Sequence, residues 1–184
     1  MRLPFASAVR CVALLALAAP SPTLSGVFHS RESALRLAFP DADRIEARDL
    51  FLSEAEAEEV ERAARVPVES RLVTVYVGHR GEEVAGYAFL DTHAVRTLPE
   101  TLLLVLDAQG RVAGTHLLAF HEPPEYAPPE RWLARFLGRG LDADLWTRRD
   151  VDALSGATLT AGAVTATVRR LLAVWRVELA AARS

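Results

Sequence analysis

The chain of 184 residues contains no lysine, and all 21 of its basic side chains are arginine. Without a lysine amine, Schiff-base catalysis and a lysine-dependent P-loop are excluded. Cysteine is nearly as scarce. Cys11 stands alone inside an N-terminal apolar run, so the remainder of the chain has no thiol for a disulfide, a thiolate metal site or a cysteine nucleophile. No apolar run approaches the roughly 18 residues of a membrane span. Nor is there an excess of positive charge. With a net charge of -3 and arginines interspersed among acids, the chain has no field to draw in a phosphate backbone, and nucleic acid is not an expected partner.

What is present begins with a targeting pattern. Arg2 and Arg10 flank a start that turns apolar from Cys11 to Ala19, and Pro20 and Pro22 then interrupt it. Residues 1–26 therefore read as a secretory signal peptide cut after Ser25, or as a short membrane anchor. Either form places residues 27–184, one domain, in the periplasm or on the extracytoplasmic face of the cytoplasmic membrane.

Apolar periodicity predicts a short helix over Ser30–Phe39, stopped by Pro40. Ser53 and Glu56 form a capping-box pattern for a second helix from Glu54 to Arg65. Runs rich in β-branched and aromatic residues follow. Arg71–Val77 and Val84–Leu90 read as one hairpin, and Thr101–Leu106 and Val112–Phe120 as another, turning at Asp107–Gly110. Glu130–Leu137 reads as helical, and a long helix is expected from Thr160 to about Ala181, with Ala163, Val164, Thr167, Leu171, Val174 and Trp175 along one stripe. The implied fold class is α+β: a single antiparallel sheet of four strands with helices on one side.

The segment that carries chemistry is Asp152-Ala153-Leu154-Ser155-Gly156-Ala157-Thr158-Leu159-Thr160, where a loop of small residues opens the last helix. Unpaired N–H groups and the helix dipole favour a phosphate at such a place, and Gly156 and Ala157 allow a bulky group close to the backbone. The loop lacks the lysine and spaced glycines of a self-sufficient phosphate loop. Hydroxyl capping alone would explain Ser155, Thr158 or Thr160, with Thr160 the preferred cap.

The pattern Asp152, two variable residues, Ser155, Gly156, Ala157, Thr158 resembles the signature of the FMN-binding domain found in flavin-carrying subunits of Rnf-type complexes and of the sodium-pumping NADH:quinone reductase. The resemblance implies FMN joined through its phosphate to the hydroxyl of Thr158, a bond made from FAD by a flavin transferase with a divalent metal. It makes Asp152, Leu154, Ser155, Gly156, Ala157, Leu159 and Thr160 the surrounding cofactor-binding segment, with Asp152 part of what the transferase reads or a brace of the loop.

A second cluster, Phe120-His121-Glu122-Pro123-Pro124-Glu125-Tyr126 followed by Trp132 and Phe136, closes a strand with a proline-stiffened aromatic loop. His121, Glu122, Tyr126 and Trp132 are further cofactor-contact candidates, and Tyr126 or Trp132 could support the isoalloxazine ring. Trp132 and Phe136 fit the core of a short helix equally well. Adjacent His121 and Glu122 lack a third ligand, so no metal site is expected. Arg131, Arg135, Arg139, Arg148, Arg149, Arg169 and Arg170 crowd the C-terminal half, where surface pairing with acids is the simpler reading and offsetting a phosphate the alternative.

No triad or paired-carboxylate cleft is apparent, and no catalytic residue is assigned. The expected function is a flavoprotein electron carrier with a membrane or periplasmic redox partner, in which FMN supplies the redox chemistry. Two alternatives remain open: an FMN-dependent reductase with its own small substrate, and a non-flavin docking module using the aromatic loop.

Overall fold

The computed structural model describes residues 30–142, 144–145 and 157–180. Their order is α1 (Arg31–Ala38), β1 (Arg44–Phe51), α2 (Glu54–Ala64), β2 (Leu72–Arg80), β3 (Glu83–Ala94), β4 (Pro99–Asp107), β5 (Val112–Phe120), α3 (Glu130–Leu133) and α4 (Thr158–Val174). Single 3-10 turns occupy Pro124–Tyr126 and Ala134–Phe136, and α4 continues as a π-helix from Trp175 to Ala180. The fold is α+β: four helices and one antiparallel sheet of five strands in the order β1-β2-β3-β4-β5.

Every strand pairs with its sequence neighbours, so the sheet is a simple meander. Alternation along the strands divides its two faces. One face presents Val75, Val77, Tyr87, Phe89, Leu102, Leu104 and Leu106 to the larger core with α2, α3 and α4. The other presents Tyr76, Ala88, Leu103, Val105 and Leu118 to α1, through Ala34 and Phe39. Helices therefore cover both faces rather than one, because β4 is apolar at consecutive positions from Leu102 to Leu106 and needs cover on both sides.

The four strands anticipated from the sequence are present, and a fifth, β1, precedes them. β1 pairs with β2 from Arg44↔His79 to Phe51↔Leu72. Its sequence, Arg-Ile-Glu-Ala-Arg-Asp-Leu-Phe, shows little apolar alternation because the strand is an edge, open on both faces. Arg44, Glu46 and Arg48 share one face and pair there, at 3.2 Å from Arg44 and 2.7 Å from Arg48 to the Glu46 carboxylate.

The capping box of α2 forms in full: the Glu56 N–H donates to Ser53 Oγ at 3.3 Å, and the Ser53 N–H donates to Glu56 Oε2 at 2.7 Å. At its other end α2 meets Arg169 of α4. This side chain, 1% exposed, donates to the carbonyls of Ala64 and Asp142 at 2.7 Å, of Leu145 at 3.1 Å and of Ala63 at 3.4 Å. The sequence suggested surface pairing for the C-terminal arginines. Arg169 instead ties the end of α2, the 142–145 segment and α4 together from inside.

Arg170, the next residue, is paired but largely buried. It donates to Asp91 Oδ2 at 2.9 Å within a polar seam between the sheet and α4. His93 sits at its centre, 2.9 Å from Asp91, 2.6 Å from the fully buried Glu100 and 3.2 Å from Thr167 Oγ1. Burial opposes a charge on His93, but its bonds to Asp91 and Glu100 outweigh that and push its pKa up to about 9.

Candidate functional site

The last helix begins at Thr158, two residues before the expected cap. Ala157 occupies the N-cap position, and no side chain caps the helix among the described residues. Thr160 therefore lies inside the first turn rather than at the cap, and it is 1% exposed. Its neighbours alternate in accessibility: Ala157 is buried, while Thr158 and Leu159 face outward. The Thr158 hydroxyl thus belongs to an exposed residue on the first turn of the helix, with buried Ala157 before it and buried Thr160 two residues on.

Beside it lies a cavity of about 160 Å³ lined by Ala157, Thr158, Leu159, Thr160, Tyr126 and Arg96. Three separate parts of the chain meet there. Tyr126 comes from the turn after β5, held by its N–H to Pro123 O at 2.9 Å. Arg96 comes from the connection between β3 and β4, and its guanidinium carbon stands 4.8 Å from the Tyr126 ring centroid, within cation–π range.

Glu122 explains why that connection is ordered. The residue is 8% exposed, and its carboxylate accepts the backbone N–H groups of Thr97 at 3.0 Å and Leu98 at 3.1 Å. Those two bonds, with smaller contributions from the backbone and charge of Arg96, hold the carboxyl below the usual carboxylate range. His121 continues the same tie through its N–H, 3.2 Å from Pro99 O. Glu122 is a brace for the loop that carries Arg96, and it does not line the cavity.

Of the four aromatic-loop candidates, the structure brings Tyr126 alone to the lining of the Thr158 cavity. His121 is exposed at the end of β5. Trp132 is 3% exposed and packs edge-on against Phe136 at 5.5 Å and 82°, both within the core, which is the second of the two readings its sequence allowed. Asp152, Leu154, Ser155 and Gly156 lie outside the described residues. Arg96 was not singled out in the sequence, since a lone arginine between two strands has no pattern; its significance is its position at the same sheet end as Tyr126 and the start of α4.

The stretch that contains this threonine also decides the family. A sequence model described as the FMN-binding domain matches residues 98–173, from the Glu122-held loop through β4, β5 and α3 into α4. Residues 98–173 belong to the FMN-binding domain family. No curated protein matches the chain.

The residues of this FMN-binding domain suit the cofactor. An exposed threonine at the first helical turn, directly after Ala157, gives a phosphate room to approach the backbone. Tyr126 offers an aromatic surface and Arg96 a positive charge within the same cavity. The cavity is smaller than the roughly 300 Å³ and more that enclose a whole drug-sized ligand.

Proposed function

We propose that this FMN-binding domain is an extracytoplasmic electron carrier whose FMN is joined by a phosphoester bond to Thr158. The observation that carries the reading is the placement of Thr158: an exposed threonine on the first turn of α4, inside the stretch that matches the family. In bond formation the Thr158 oxygen joins the flavin-side phosphorus of FAD, the phosphoanhydride bond breaks, AMP leaves, and the hydroxyl proton passes to a base. Thr158 lacks a base of its own in the described cavity, whose lining offers Arg96 and Tyr126 but no carboxylate or imidazole. A flavin transferase and its divalent metal supply that function in trans.

Bound FMN supplies one- and two-electron transfer. The chain's own groups position it: Thr158 tethers the phosphate, Tyr126 offers a ring face, and the Glu122-braced loop holds the near wall. Among the described residues the cavity lining offers no carboxylate or imidazole for acid–base chemistry, which favours electron exchange with a membrane or periplasmic redox partner over turnover of a small molecule. The N-terminal signal pattern supports export, by cleavage or with residues 1–26 kept as an anchor.

Intact mass and in-gel flavin fluorescence after denaturation test this on protein co-expressed with a flavin transferase. The expected result is one added FMN phosphoryl unit on the wild type and none on Thr158→Ala. An unmodified wild type overturns the reading and leaves a docking module with a helix start that mimics the motif.

A further inference from the structure

Arg96 lies two residues ahead of the stretch that matches the family, in the β3–β4 connection, and lines the cavity from there. Three observations give it a directed role. First, it is an exposed residue, yet its guanidinium is placed, standing 4.8 Å from the centroid of the half-buried Tyr126 ring. Secondly, the backbone that carries it is fixed from below, because Glu122 accepts the N–H groups of the next two residues, Thr97 and Leu98. Thirdly, the cavity it lines is also lined by Thr158, and Arg96 is the one charged side chain among the described lining residues.

A guanidinium resting on an aromatic face loses no donors to it, since the ring has no lone pairs in the plane of the N–H groups. Its edge remains available for two parallel bonds to the oxygens of a phosphate. A phosphate esterified on both sides carries one negative charge over two non-bridging oxygens, which one arginine matches. Lysine would present a point charge without the fork.

Resting on the reading that Thr158 carries FMN, we propose that Arg96 is the specificity-determining cation of the site: it receives the phosphate oxygens at Thr158 and selects phosphorylated flavin over riboflavin. Tyr126 and Glu122 are its positioning residues, one supporting the guanidinium and the other the loop. Neutral riboflavin offers the guanidinium nothing of equal strength and gains only the aromatic and apolar contacts.

The test separates recognition from attachment by removing the hydroxyl. In the Thr158→Ala background, quenching of free flavin fluorescence measures the affinity for FMN and for riboflavin with and without Arg96→Ala. FMN is expected to bind about tenfold more tightly than riboflavin when Arg96 is present, a gap that narrows as salt rises. Arg96→Ala should abolish the preference and leave riboflavin affinity unchanged, and Arg96→Lys should restore part of it. Equal affinity for the two flavins in Thr158→Ala, or a preference that survives Arg96→Ala, overturns the proposal. Circular dichroism and melting of the variants establish that the fold is intact, as an exposed loop side chain predicts. Mass analysis of the transferase-treated wild type stays independent: loading with no Arg96-dependent preference removes the role of Arg96 alone, whereas no loading removes the attachment reading.

Discussion

Arg169 and Ala64 are 105 residues apart in sequence, and the guanidinium of one donates to the carbonyl of the other at 2.7 Å. Ala64 ends α2, where carbonyl oxygens lack helical partners and the dipole is negative. Burial, with Arg65 nearby, pulls the Arg169 pKa below its ordinary value; carbonyls from Ala63, Ala64, Asp142 and Leu145 offset that cost.

Arg169→Ala should therefore destabilise the domain by about 3 kcal/mol, since it strands several buried acceptors at once, and lower the melting temperature by roughly 10 °C. Arg169→Lys keeps the charge but not the fork and should recover less than half of the loss. Urea denaturation of both variants checks the order. A wild-type midpoint in Arg169→Lys would show that charge alone suffices.

The His93 seam should make stability fall on the alkaline side. A folded-state pKa raised from 6.5 to about 9 gives a contribution fully present below pH 6.5 and lost as pH rises through 9. The wild type should lose about 3 kcal/mol between pH 6 and 10 by this route, and His93→Gln should lose much less over the same range. Denaturation curves at stepped pH decide, with parallel profiles for the two proteins as the contrary result.

Gly110 and Gly81 both have positive φ, at 76° and 58°, but differ in surroundings. A Cβ on Gly110 would lie 2.3 Å from the Trp175 ring, whereas one on Gly81 meets nothing within 4 Å. Gly81→Ala should cost about 1 kcal/mol, the left-handed backbone penalty alone. Gly110→Ala adds overpacking and should cost at least about 2 kcal/mol more, with a changed near-ultraviolet signal from Trp175. Equal melting temperatures for the two would contradict this.

Glu122→Gln replaces a carboxylate that accepts two N–H groups with an amide having one acceptor oxygen and two donors. Hydrogen exchange at Thr97 and Leu98 should accelerate about tenfold while amides of β4 keep their protection. Uniform acceleration through the sheet would mean that the brace serves the whole fold rather than the loop.

How much of this was legible beforehand follows the physics of each signal. Ser53 and Glu56 announced α2 because a capping box is local, and both bonds form. β5 was read to its ends, since Val112–Phe120 lies between a turn and prolines. β1 was missed because an edge strand open on both faces has no apolar face to alternate. β3 runs to Ala94, beyond the expected Leu90, because Asp91 and His93 meet polar partners rather than core. The Thr158 motif was visible as a local string. Arg96 and Tyr126 reach it only through the sheet, and such convergence leaves no periodic trace.

The meander has a temporal consequence as well. β2 to β5 find their partners across short loops and β1 meets β2 across the α2 connection, so most of the sheet can assemble by successive hairpin closures as a chain emerges from its N-terminal end. α4 comes last, and its contact with α2 closes a span of 105 residues, the step with the largest entropic cost. The helix bearing Thr158 is therefore the clasp of the fold. A threonine on the clasp acquires its surrounding wall from Arg96 and Tyr126 only once the sheet is in place, so the finished site reports a folded sheet.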